Sequence, residues 1–312
     1  RAGGAFAFFS SAGYTGGMIP YIEIEPIEIF GYPLAVFGVL VVMAVVVGVL
    51  LTLRRGRRLG VDEGELRYFM VAVLVSGFFA AHLFDVLFYY PSLILEDPWV
   101  LLDISNGLSS FGGIVGAVAG ALFWKYYGLR PWFKIGKDRF HRPVRRAEPA
   151  KILPFMDIPI AIFPVAWVLG RMGCSLVHDH PGIAAPAGSW LAVAFGPGPA
   201  WRLGPIVVRM GSEPRYDLGL LEMLFAVLLS IAFAFTWSRG GNRGWYVAAS
   251  CVLYAPVRFA LDFLRESDAA AGDIRYWELT PAQWGCFALF AFGVGLGLHL
   301  WRGRGRSVRI MS

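Results

Sequence analysis

The chain has 312 residues, 57% of them hydrophobic and only 16% charged, with a formal net charge of +6. Soluble domains carry about 45–50% apolar and about 25% charged residues, and the surplus here is gathered in long apolar blocks. A water-soluble domain is excluded, and an all-α integral membrane protein is expected. Nucleic-acid binding is not expected either, because most of the 28 basic residues fall in alternate loops between the apolar blocks, the pattern of cytoplasmic loops. Cys174, Cys251 and Cys286 are too scattered for a disulfide framework.

Taken in order, residues 1–32 read as an extracytoplasmic N-terminal segment. Within it Tyr21–Phe30 alternates acidic and apolar residues, as a strand or interfacial segment does. About seven transmembrane helices follow between residues 33 and 301, at roughly 33–53, 68–90, 107–127, 152–174, 217–237, 245–264 and 280–301. The first ends on Arg54, Arg55, Arg57 and Arg58, which fix that end as cytoplasmic. The third carries Gly112, Gly116 and Gly120, a ridge that lets another backbone approach closely. A long basic loop leads to Lys151. A Gly/Pro-rich stretch at about 174–216 suits a small extracytoplasmic head with short strands. Residues 302–312 form a basic cytoplasmic tail, so the N-terminus lies outside and the C-terminus inside.

The chemistry-bearing residues cluster toward the outer half of these helices. Arg258, Asp262 and Arg265 share one helix face at i, i+4 and i+7, so that Asp262 can bridge the two arginines. Arg171 ends the fourth apolar block, and His178, Asp179 and His180 follow it. Arginine is suited to bidentate recognition of phosphate, and a phospholipid headgroup is the phosphate present at that depth. Arg171, Arg258 and Arg265 are therefore expected to hold a phospholipid phosphate. The competing reading is structural: arginines paired with Asp179, Glu222 and Asp262. No metal and no cofactor are expected, since His178 and His180 have no obvious third ligand. His82 and Asp85, three apart on the second helix, could pair.

At these residues the chain resembles the bacterial prolipoprotein diacylglyceryl transferases. The family signature G-R-x-G-N-F-x-N-x-E-x-x-G is met by Gly170, Arg171, Gly173 and Gly182, and its glutamate is shortened to Asp179. Asp85–Pro91, Leu108–Gly116, Glu222, Val257–Asp268 and Gln283 resemble further family segments in the same order. The departures are chemical. The family histidine proposed as base corresponds to Phe111, the signature asparagines to Cys174 and Val177, a helix 1 tyrosine to Phe37 and a helix 2 arginine to His82.

The resemblance implies a protein of the bacterial cytoplasmic (inner) membrane. Its expected substrates are a phospholipid, phosphatidylglycerol, and the lipobox cysteine of a lipoprotein precursor. Arg171, Asp179, Glu222, Arg258, Asp262, Arg265 and Gln283 would bind substrate, and His82 with Asp85, His178 or His180 would replace the base. A homologue without turnover, holding phospholipid or lipoprotein as a subunit of a membrane complex, is the alternative that Phe111 raises.

Overall fold

The computed structural model describes residues 17–89, 91–102, 109–135, 138–186, 188–237, 244–266 and 275–303. Residues 1–16, most of the basic tail, and Arg239 and Arg243 lie outside these. The elements in order are strands β1 (Ile19–Ile24), β2 (Ile27–Ile29) and β3 (Tyr32–Leu34), then helices α1 (Val36–Arg58), α2 (Glu63–Tyr89) and α3 (Pro91–Glu96). A 3-10 turn at Pro98–Leu102 precedes α4 (Ser110–Tyr126), strands β4 (Tyr127–Ile135) and β5 (Asp138–Arg145), and helices α5 (Ile152–Ile160) and α6 (Phe163–Val177). Strands β6 (Pro181–Ala184), β7 (Ala192–Phe195), β8 (Ala200–Leu203), β9 (Ile206–Arg209) and β10 (Glu213–Asp217) lead to α7 (Leu218–Ala234), α8 (Trp245–Asp262) and α9 (Pro281–Gly303). The chain divides into two units, one of Arg1–Gly48 with Ile160–Ser312 and one of Val49–Pro159.

Helices α1, α2 and α9 are long and apolar enough to cross a membrane, and α5 with α6 makes a fourth span if the bent pair is counted as one. The expectation of seven spans is therefore met in part. Helix α7 is apolar but has 17 residues, a length of about 25 Å at 1.5 Å per residue against a hydrocarbon core of about 30 Å. Helix α4 also has 17 residues, and α8 carries Pro256, Arg258 and Asp262 within its 18. On α1 the successive turns Val42, Val46 and Leu50 are all half or more exposed. A continuous apolar face of this kind suits hydrocarbon and not water.

The expected fourth helix is broken. Pro164 has no N–H to donate to the carbonyl of Ile160, so the ladder stops and restarts with Ile162 as N-cap. The long basic loop is also more ordered than expected, since β4 and β5 form an antiparallel hairpin through it.

In the unit of residues 49–159, α2 and α4 meet along the glycine ridge. A Cβ on Gly112 would lie 2.6 Å from the carbonyl oxygen of Ala80, and one on Gly116 2.6 Å from the Ala80 Cβ. The Ser76 hydroxyl crosses this seam to the carbonyl of Gly116 at 2.7 Å. Phe69, Ala121, Trp124 and Phe155 pack beside it.

In the other unit a six-stranded sheet runs in the order β6-β10-β7-β1-β9-β8. The all-α expectation thus holds for the apolar blocks and is corrected for the head. The period-2 segment near Tyr21 supplies β1, which inserts between β7 (parallel) and β9 (antiparallel). Ala192, Val193 and Ala194 of β7 are fully buried, as a central strand covered on both faces requires. Below the sheet Ala161, Leu229, Phe233 and Tyr246 form a core joining α7 to α8.

The glycine seam yields a prediction. Gly116→Val should cost about 1–3 kcal/mol through overpacking, read as a lower melting temperature in detergent. Gly297→Ala, where an added Cβ meets nothing within 4 Å, is the control and should leave melting unchanged or raised.

Candidate active site

Arg171, Glu222, Arg258, Asp262 and Arg265 come together where the C-terminal ends of α6 and α8 meet the N-terminal end of α7. Each helix contributes because of its own local chemistry. Asp217 caps α7 by accepting from the Leu220 N–H at 2.9 Å, which sets Glu222 one turn inside the helix. The i, i+4 spacing on α8 places Arg258 against Asp262. Gly182 lets β6 approach the end of α8. A Cβ there would lie 2.7 Å from the Leu264 carbonyl oxygen, and the backbone bridges to Arg265 with Ile183 N–H donating to Leu264 O at 2.8 Å.

The side chains form an alternating chain of charge. Arg171 contacts Glu222 at 2.5 Å, Glu222 contacts Arg258 at 3.2 Å, Arg258 contacts Asp262 at 3.0 Å, and Arg265 approaches Asp262 at 3.6 Å. Glu222 and Asp262 are each 1% exposed, while the three guanidiniums keep partial access. The donors of three guanidiniums outnumber the oxygens of two carboxylates. The chain therefore presents partly accessible guanidinium N–H groups, the donor type that an anion takes.

Asp262 is fixed from behind. The Thr280 hydroxyl donates to its other oxygen. Thr280 and Gln283 form a reciprocal capping box at the start of α9, Gln283 N–H to Thr280 Oγ1 at 3.1 Å and Thr280 N–H to Gln283 Oε1 at 2.9 Å. The Gln283 amide also donates to Phe259 O at 3.2 Å. Gln283, expected to bind substrate, is thus occupied in holding Thr280 against Asp262. The sequence signal for this was the T-x-x-Q spacing itself.

The histidines divide. His178, at the left-handed C-cap of α6, has Nδ1 at 2.6 Å from Asp217 and Nε2 at 3.1 Å from the carbonyl of Ile22, and it stacks on Tyr21. Both ring nitrogens face oxygen acceptors, so neither offers a lone pair to a thiol. Its geometry ties α6 and α7 to β1. His180 instead turns toward the charged chain, with Nδ1 at 2.6 Å from Asp179. Asp179, His180 and Cys174 have ligand-type atoms within 4.8 Å of one another, and Arg171 donates to the Cys174 sulfur at 3.8 Å. Cys174 is the third group that the His178–His180 spacing did not reveal.

His82 and Asp85 belong to the unit of residues 49–159. Their expected pairing does not form, because His82 Nε2 is turned to the carbonyl of Val100 at 3.0 Å. His82 Nδ1 and Asp85 Oδ2 are buried without a hydrogen-bond partner among the described residues. Phe111 lies in the first turn of α4, and its side chain is outside the described residues. Phe37 packs on the signature glycine: a Cβ on Gly173 would be 3.0 Å from its ring. Tyr254, one turn before Arg258 and within electrostatic reach of Arg171, Glu222 and Arg258, was not singled out from sequence. Its i−4 spacing from Arg258 was the available signal.

The sequence model of the family described as "Prolipoprotein diacylglyceryl transferase" matches residues 25–138 and 139–299. A phosphatidylglycerol–prolipoprotein diacylglyceryl transferase of Nitratidesulfovibrio vulgaris is 30% identical over 291 residues, covering 89% of this chain and 94% of that protein. Proteins of the same name from Chromohalobacter salexigens and Clostridium perfringens are 27% and 21% identical, covering 85% and 76% of this chain and 88% and 81% of their own lengths.

Glu222 is the shared counterion of two arginines. Glu222→Ala should destabilise the protein by about 3–5 kcal/mol, the cost of leaving buried charge uncompensated. Glu222→Gln, which keeps the shape and the hydrogen-bond acceptor, should cost less. Thermal melting of the two variants side by side checks the order, and equal losses would assign the whole cost to the lost charge and none to shape or hydrogen bonding.

Proposed function

The chain belongs to the prolipoprotein diacylglyceryl transferase family, and we propose that it moves the diacylglyceryl group of phosphatidylglycerol to the lipobox cysteine of a lipoprotein precursor. The observation that supports this reading is the Arg171–Glu222–Arg258–Asp262–Arg265 chain. Three guanidiniums against two carboxylates leave one positive charge in excess, which matches the single negative charge of a phosphodiester. Burying five charged groups in this way brings little stability over an apolar core of the same volume. Charged groups at membrane depth usually serve function.

In the reaction the acceptor sulfur attacks the glycerol carbon that bears the phosphate. A C–S bond forms, the C–O bond breaks, and the electron pair leaves with glycerol phosphate. Charge builds on the leaving phosphate oxygens as the bond breaks. The guanidiniums are held before the substrate arrives, Arg258 by two carboxylates and Arg171 by one, so they stabilise that charge without reorganising. Arg265, more accessible than Arg258, faces the same carboxylate and completes the clamp. Asp179 lies beside Cys174 at the Arg171 end, where the acceptor sulfur would enter.

The wider setting follows the sequence reading. The protein is a multi-pass component of the bacterial inner membrane with its N-terminus outside. The sheet that contains β1 and β6–β10 is the extracytoplasmic head, and the shorter helices α4, α7 and α8 bring the number of spans to seven. Tyr276, Trp277 and Trp284 at the start of α9 are exposed aromatics of the sort that anchor a span at the membrane interface.

Incubation with phosphatidylglycerol and a lipobox peptide, read by peptide mass, tests the function. The wild type should add a diacylglyceryl mass to the peptide, and Arg258→Ala should lower the rate by at least about 10²-fold, the scale of one lost transition-state donor. Arg258→Lys should not restore it, because an ammonium cannot bridge Glu222 and Asp262 as a fork does. Retained phospholipid with no mass shift, beside an active family enzyme, would overturn the reading.

A further inference from the structure

Apart from Phe111, which replaces the expected base, other departures from the family signature build a new cluster. Cys174 stands where the family signature has asparagine, Asp179 where it has glutamate, and His180 follows directly. The structure brings one sulfur, one carboxylate oxygen and one ring nitrogen of these residues within 4.8 Å of one another. His180 Nδ1 is buried and lies 2.6 Å from Asp179, yet it has no aligned hydrogen bond among the described residues.

We propose that Cys174, Asp179 and His180 bind a zinc-class divalent cation, which holds the incoming lipobox cysteine as its thiolate; this rests on the transferase reading above. The donor set selects the metal. Thiolate with imidazole suits zinc and is foreign to magnesium and calcium, which take oxygen. Bonds of about 2.0–2.3 Å put tetrahedral ligand atoms about 3.5 Å apart, so His180 Nδ1 and Asp179, now 2.6 Å apart, would separate by about 1 Å to share the ion. Three protein ligands leave the fourth position open, the arrangement of a catalytic and not a structural zinc. Asp179 and His180 are each about one-third exposed, so that position can be reached.

A thiol that coordinates such a cation is deprotonated outright. Its proton goes to water, the sulfur keeps its electron pair, and no oxidant or reductant is required. The cluster adjoins the phosphate clamp directly, because Arg171 donates to Cys174 Sγ through Nη1 and pairs with Glu222 through Nη2. One arginine therefore spans the sulfur end and the phosphate end of the reaction.

The test begins with detergent-purified full chain stripped by a chelator. Zinc titrated against a chromogenic indicator should bind at about one per chain, and cobalt should give a thiolate-to-metal charge-transfer band. Cys174→Ser should abolish the band, and Asp179→Asn and His180→Ala should weaken binding at least tenfold, with melting curves confirming that each variant is folded. Absence of zinc binding in the wild type, or an unchanged cobalt spectrum in folded Cys174→Ser, overturns the proposal. Transfer to the peptide should fall roughly 30-fold near neutral pH on stripping and return with zinc, since only a few per cent of a free thiol is ionised there. Transfer that is indifferent to stripping overturns the metal role and leaves the transferase reading standing. Zinc bound by the three residues with no transfer in either form supports the metal site and overturns the transferase reading.

Discussion

Charge neutralisation in a medium with little water governs the candidate site. A guanidinium taken out of water costs several kcal/mol unless carboxylates meet it at once. Here Glu222 and Asp262, both fully buried, supply that compensation, and each is shared between two arginines. The sharing forces the positions of three helices. Arg171 on α6, Glu222 on α7, and Arg258 with Asp262 on α8 must lie within a few ångströms, so the ends of those helices cannot be moved independently. Secondary contacts reinforce the same arrangement: Thr280 holds Asp262, and the Gly182 approach holds the backbone at Arg265.

The six-stranded sheet serves this constraint. His178 and Asp217 sit at the end of α6 and the start of α7, and their mutual contact closes the top of that helix pair. His178 also reaches the Ile22 carbonyl, which draws β1 into the middle of the sheet, far in sequence from its neighbours β7 and β9. A segment that reads as an isolated amphipathic strand thus becomes part of the frame for Arg171. The left-handed backbone at His178 turns the chain so that residue 178 meets β1 while Asp179 and His180 meet each other near Cys174. Three adjacent polar residues in the sequence acquire different roles through that one turn.

Signals carried by spacing along one helix were legible in the sequence. The Arg258–Asp262–Arg265 face, the glycine ridge of α4 and most helix bounds all follow from local periodicity. Contacts between distant segments were not legible. Nothing near His178 announces Asp217 or Ile22, and nothing near Asp179 announces that Cys174 folds back toward it. The His82–Asp85 pair shows the opposite error. Helical spacing permits the contact, but the Val100 carbonyl offers the imidazole a better partner than a neighbour on its own helix. Gln283 was legible as a residue with a purpose, but its T-x-x-Q cap was overlooked beside the resemblance. The helix break at Ile162 was present in the sequence as Pro159 and Pro164, and the apolar run around them concealed it.

The replacement of the family base by Phe111 has a different meaning once the site is described as a whole. A general base and a thiol-binding cation solve the same problem, which is that a thiol near neutral pH is mostly protonated and a poor nucleophile. A base must lie within hydrogen-bond reach of the sulfur at the moment of attack. A cation removes the proton earlier and fixes the sulfur in place as well, so it relieves the enzyme of placing a base on a separate helix. The residues required for the second solution need only be close to the phosphate clamp. Cys174, Asp179 and His180 follow Arg171 within ten residues of sequence, and Cys174 touches it in space. Arg171, Glu222, Arg258, Asp262 and Arg265 keep their mutual contacts in a chain where Phe111 replaces the family histidine and Cys174 stands beside Arg171, so the proposed cation would change how the sulfur is activated and leave the arginine chain as it is.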